Sequence, residues 1–142
     1  MGVKIVDNTA FLVIKRSLYK NKEGIRRGLL AVAPEIKREV RRLIRDPNKS
    51  GRIYNIGGKM HQASAPSEAP ANLSGRLAKK VGSKVPNATR LIIEDNAPYG
   101  GYLEYGTTHI LPRPHLRPAA LSKVREVGQA IVLGVKNELG KK

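Results

Sequence analysis

Apolar residues recurring every three or four positions from Ile25 to Leu43 constrain this chain more than any other feature: Ile25, Leu29, Val32, Ile36, Val40 and Leu43. That spacing puts all of them on one side of a helix with 3.6 residues per turn. A helix with such a stripe must lay it against another surface. Arg38, Arg41 and Arg45 fall on the opposite, outward side. Pro34 lies inside the pattern, where it removes one backbone donor and predicts a kink. Asp46-Pro47-Asn48 ends the helix. A second stripe closes the chain: Leu121, Val124, Ile131, Val132, Val135 and Leu139, with Gly128 on the same face and Pro118 in the first turn. Gly128 either permits close packing there or only weakens the helix.

Between these helices the patterning is of another kind. Val3 to Val6 reads as a short strand. Asp7, Asn8 and Thr9 are N-cap types, and a helix is expected after them through Phe11, Ile14 and Leu18, interrupted near Asn21 and Gly24. Gly, Ser, Ala, Pro and Asn dominate from Lys49 to Leu73, so residues 47–73 are expected to form a long contact arm. The arm has room for a ribbon from Arg52 to Ile56 turning at Gly57-Gly58. Ser74 to Val85 and Leu91 to Glu94 form a candidate hairpin around the Pro86-Asn87-Ala88 turn. Asn96-Ala97-Pro98 opens a helical turn through Tyr99, Tyr102 and Leu103, which Gly106 closes. The expected fold is α+β. A small antiparallel sheet is packed by a long N-terminal helical segment and a C-terminal helix, with a long extended loop, in a single domain over 1–142.

Charge narrows the partners. There are 27 Lys and Arg against 11 Asp and Glu, a formal net charge of +16, which attracts polyanions. Nucleic acid, an anionic membrane surface and an acidic protein all qualify, beside a merely solvated basic surface. With 40% hydrophobic residues the chain is expected to fold. No cysteine is present, which excludes disulfides, thiolate metal sites and a cysteine nucleophile. The opening Met1 to Asp7 carries no long apolar run of a signal peptide, and no stretch is long and apolar enough to span a bilayer.

A catalytic set is not evident. His61, His109 and His115 do not stand at metal-ligand spacing and read as surface or structural histidines. Gly57-Gly58-Lys59 lacks the upstream glycine and the following Ser or Thr of a phosphate loop, and reads as a hairpin tip. Glu94 and Asp95 are neighbours that point to opposite faces of a strand. Glu104, a carboxylate near tyrosines, reads as a structural hydrogen-bond acceptor. No cofactor is implied. From Gly51 to Val85 the cations are Arg52, Lys59, Arg76, Lys79, Lys80 and Lys84, against Glu68 alone. With Tyr54 and His61 they are the candidate partner-facing or DNA-facing residues, suited to nonspecific phosphate contact, to an acidic protein surface or to solvent.

Two segments carry a family resemblance. Ala97-Pro-Tyr-Gly-Gly-Tyr-Leu-Glu-Tyr-Gly-Thr107 and Pro112-Arg-Pro-His-Leu-Arg-Pro-Ala119 resemble the paired motifs of phage head–tail joining proteins, also called tail-completion or neck proteins. His115 stands where that pattern usually has an aromatic residue. The stretch His61 to Ala71, then Leu73-Ser-Gly-Arg-Leu77, is similar to what precedes the family's first hairpin strand.

The resemblance implies a non-enzymatic virion protein, assembled in the host cytoplasm and located in the neck of a long-tailed phage. There it would form a homo-oligomeric ring, commonly of six subunits, between the tail-tube protein and the head connector or stopper protein. Nonspecific contact with exiting genomic DNA would follow, and no membrane is involved. The motif residues Tyr99, Tyr102, Glu104, Gly106, Pro112, Pro114, Arg117 and Pro118 would be mainly architectural. A ribosomal-type, nonspecific nucleic-acid-binding protein is the alternative on charge alone. A nuclease-like enzyme lacks a catalytic set.

Overall fold

The computed structural model describes residues 2–6, 9–13 and 21–141. Strands β1 (Gly2–Val6) and β2 (Thr9–Val13) pair antiparallel, with Val6 opposite Thr9. The helix expected through Phe11 is therefore a strand at Phe11, while Asp7, Asn8, Ile14 and Leu18 lie outside the described residues. The reason is tertiary. Strand β2 is bonded on both sides, to β1 and to β6 (Arg90–Asp95), and a row of ladder bonds outweighs a weak local helix signal. Strand β5 (Val81–Asn87) completes an antiparallel sheet of order β1-β2-β6-β5, with an irregularity between Lys84 and Asn87 that accommodates Pro86. The turn expected at Pro86-Asn87-Ala88 is thus at Ala88 and Thr89. The basic segment before β5 is a short helix, α2 (Arg76–Lys80), rather than strand.

Helix α1 (Lys22–Arg45) crosses this sheet. Gly24, expected to interrupt, is inside it, and the helix passes Pro34 as a single element with the proline exposed. Ile25, Leu29, Ile36, Val40 and Ile44 are fully buried, each contributing roughly 1.5–3 kcal/mol of apolar burial. Ile44 takes the last inward position expected of Leu43, which is half-buried. Leu91 and Ile93 share one face of β6 and join these residues in the core.

The C-terminal helix breaks at Lys123 into α4 (Leu116–Ser122) and α5 (Val124–Leu139). Helix α4 buries Leu116, Ala119 and Ala120, and α5 lies along α1. The face that α5 buries keeps Ile131 and Val135 of the expected stripe and drops the rest. Val127, Ile131 and Gly134 are inward, whereas Leu121, Val132 and Leu139 are exposed. Glycines select this face. A Cβ at Gly134 would stand 2.1 Å from the carbonyl oxygen of Gly24, and one at Gly28 would stand 2.5 Å from that of Ala130. Backbone meets backbone along this seam, and it is Gly134, not Gly128, that makes the approach possible.

Candidate functional site

The expected arm is built around a separate two-stranded sheet, a hairpin. Strands β3 (Ile53–Ile56) and β4 (Lys59–Gln62) pair antiparallel and turn through Gly57 (φ 58°) and Gly58 (φ 81°). Positive φ at both central residues is the two-residue hairpin turn that glycine allows. Asn55 Oδ1 accepts the Gly58 N–H at 3.0 Å and closes the turn. Almost every residue of the ribbon is exposed, including Ile53, Tyr54, Ile56 and Met60.

The base of this ribbon is tied down. Gly51 and Ala63 extend the ladder, with Gly51 N–H donating to the Ala63 carbonyl at 3.0 Å. The Glu68 carboxylate accepts from the Ser50 hydroxyl, the Ala65 N–H and the Ser50 N–H. The Ser50 hydroxyl above all, with the two backbone donors, lowers the Glu68 pKa to about 2. Lys49 Nζ donates to the Leu43 carbonyl at 2.9 Å, and burial pushes its ammonium pKa below the usual range. Arg113 Nε donates to the Ser64 carbonyl, and Ser67 N–H to the Pro112 carbonyl. The second motif therefore grips the arm directly.

Helix α3 (Gly100–Tyr105) sorts the first motif into two sides. Glu104 points inward and is 5% exposed, whereas Tyr99, Tyr102 and Tyr105 are 42%, 61% and 48% exposed. Glu104 accepts the N–H groups of His115, Leu116 and Arg117 at 2.8, 3.0 and 2.9 Å, and so satisfies the first turn of α4. It is the acceptor that the sequence suggested. The tyrosines do not surround it but face outward. Gly106 (φ 77°) ends α3, and a Cβ there would stand 2.6 Å from the Ile110 carbonyl. Pro112 is exposed, Pro114 and Pro118 are half-buried, and the Arg117 side chain is exposed.

Beneath the motif lies a cluster that the spacing did not reveal. His115 is fully buried, with Nε2 2.9 Å from Asp95 Oδ2 and Nδ1 3.2 Å from Glu104 Oε2. Asp95 also accepts the Ala97 N–H at 2.9 Å, and its carboxylate occupies the space a Cβ on Gly100 would need. The three side chains join the end of β6, α3 and the start of α4. Sealed from solvent, the cluster is out of reach of a substrate. The one available signal was the polar residue at 115 in a place the resemblance gives to an aromatic.

The candidate cations do not gather into one patch. Arg52, Tyr54 and Lys59 are on the ribbon, Lys79 and Lys80 are exposed on α2, and Lys84 pairs with Glu94 at 2.7 Å. Three of the singled-out residues do converge. His61, Arg76 and Tyr99 line a surface cavity of about 410 Å³ between arm and α3, with Leu73, Ile110 and Arg113. On α1, Arg41 is not outward as expected. Its guanidinium donates to the carbonyls of Ala78, at 3.0 Å, and Val81.

Among the described residues no group of three or more His, Asp or Glu side chains is placed to hold a metal ion. No helix among them is long and apolar enough to cross a membrane. No family model, curated protein or solved structure matches this chain.

Proposed function

We propose that this chain is a structural subunit of the phage neck, one member of a ring that completes the tail tube and joins it to the head connector. The observation that carries the reading is the ribbon Ile53–Gln62, which leaves Ile53, Tyr54, Ile56 and Met60 exposed. An isolated two-stranded ribbon is marginal in water, and its apolar side chains gain stability only under another surface. The motif tyrosines Tyr99, Tyr102 and Tyr105 add an aromatic surface of the type enriched at protein interfaces. A neighbouring subunit, the tail-tube protein and the connector are the surfaces that the motif resemblance supplies, with six subunits as the expected ring.

Deletion of the gene from the phage that encodes it tests this. Filled heads and finished tails that fail to join are expected by electron microscopy, with joining restored by the gene in trans. Normal infectious particles from the deletion strain overturn the reading. A nonspecific nucleic-acid-binding protein is the second reading, favoured by a cationic groove on α1.

A further inference from the structure

Lys37, Arg38, Arg41, Arg42 and Arg45 line, with Pro34, a groove of about 450 Å³ along α1. We infer that this groove is a contact site for the phosphodiester backbone of duplex nucleic acid. The inference does not rest on the neck reading.

Among the described residues, the carboxylates of the chain are already occupied. Asp7 lies outside the described residues; every other acidic residue is already engaged within its own chain. Glu23, Glu35, Glu39, Glu94, Glu126 and Glu138 pair with lysines or arginines. Asp46 accepts the Asn48 N–H, Glu68 holds Ser50, and Asp95 and Glu104 are buried around His115. A second copy of the chain, itself at a formal net charge of +16, therefore has little to offer a cationic groove, and the counter-charge must come from another molecule.

The lining of the groove selects the kind of anion. Apart from the Pro34 ring it carries cations only, with no aliphatic or aromatic anchor. Tight protein partners usually insert such anchors, and single-stranded nucleic acid stacks its bases on aromatic rings. A groove without either is suited to phosphates held in a duplex. Lys37, Arg41 and Arg45 follow one another at intervals of four residues, about 6 Å of helix rise each. Arg41 is fixed by the two carbonyls it reaches, so it stands in the groove already ordered. The Arg38–Glu35 pair is exposed, so it holds Arg38 weakly and yields to a phosphate.

The test is binding of labelled 30-base-pair duplexes to the full chain, by anisotropy across a salt series. The parent is expected to bind, with log affinity falling linearly against log salt. The triple variant K37Q/R38Q/R45Q should lower that slope by roughly 2 to 3, since each phosphate contact contributes about 0.9. The control R52Q/K59Q/K80Q, with the same change in net charge, should lower it by less than half as much. Both variants are checked for fold by circular dichroism. On the unaltered chain, duplex should protect Lys37 from acetylation while Lys59 stays reactive. Equal binding of DNA and RNA duplexes supports a pure backbone contact, and preference for one names the source. Four results overturn the inference: no duplex binding, equal slope loss in both variants, no protection of Lys37, or tighter binding of a polyglutamate peptide than of duplex.

Discussion

Nε2 of His115 sits 2.9 Å from Oδ2 of Asp95, and neither side chain is exposed. Nδ1 of the same ring faces Glu104 Oε2 at 3.2 Å, so both ring nitrogens face carboxylates. The site is polar where the family resemblance leads one to expect an aromatic ring.

Replacing His115 by Phe keeps roughly the size of the ring but leaves two buried carboxylates without their common partner. Leaving a buried hydrogen-bonding group without its partner costs about 1–3 kcal/mol, and more where the group is charged. Urea unfolding of H115F should show a loss of that order. The double variant H115F/D95N should lose less than the sum of its single changes, because the two residues share one network. A loss below about 1 kcal/mol for H115F, the level of an ordinary surface change, would show that the cluster is not what joins β6, α3 and α4.

Along the α1–α5 seam, Gly134→Ala places a methyl against the Gly24 carbonyl, where no flexible side chain can give way. Overpacking costs about 1–3 kcal/mol and here outweighs the helix-propensity gain of about 1 kcal/mol from removing glycine. A lower melting temperature by calorimetry is expected. An unchanged or higher one means that the helices separate without penalty.

Acid should loosen the arm. The pKa of Glu68 is lowered to about 2, with the Ser50 hydroxyl as the first cause. A carboxylate whose folded pKa lies below its unfolded value of about 4.3 contributes above that value and loses its contribution as pH falls toward the folded pKa. Amide exchange at Ser50 and Ala65 should therefore lose protection between about pH 4 and pH 2. Glu68→Gln should remove this dependence and expose residues 46–73 to protease at neutral pH. Protection that is flat across the interval, in the parent as in the variant, refutes the staple.

The ribbon offers a separation of folding from assembly. Ile56→Asp with Met60→Asp changes two exposed side chains outside the core, so stability should move by no more than about 0.5 kcal/mol per site. On the proposed neck role, ring formation, read by analytical ultracentrifugation or in virions, should fail. A variant that assembles normally removes the ribbon from the interface.

The sequence already showed where the helices and turns would be wherever the signal is local. The Ile25-to-Val40 stripe, the Gly57-Gly58 tip, the Gly106 exit and Pro118 each follow from a few adjacent residues, and the structure has them there. Its errors fall where distant partners decide. Phe11 belongs to a strand because β1 and β6 flank β2, and Arg41 turns inward because the carbonyls of Ala78 and Val81 await it. The inward face of α5 was chosen by Gly134 against Gly24 and Gly28, more than a hundred positions away, and not by the apolar count of its own stripe. Likewise Asp95, Glu104 and His115 are ordinary polar residues until three elements meet. By itself the sequence determined periodicity, breaks, charge and the α+β class, which depend on neighbours along the chain. Only the tertiary structure decided which polar groups are buried together and which apolar faces stay uncovered, because both depend on what packs against them.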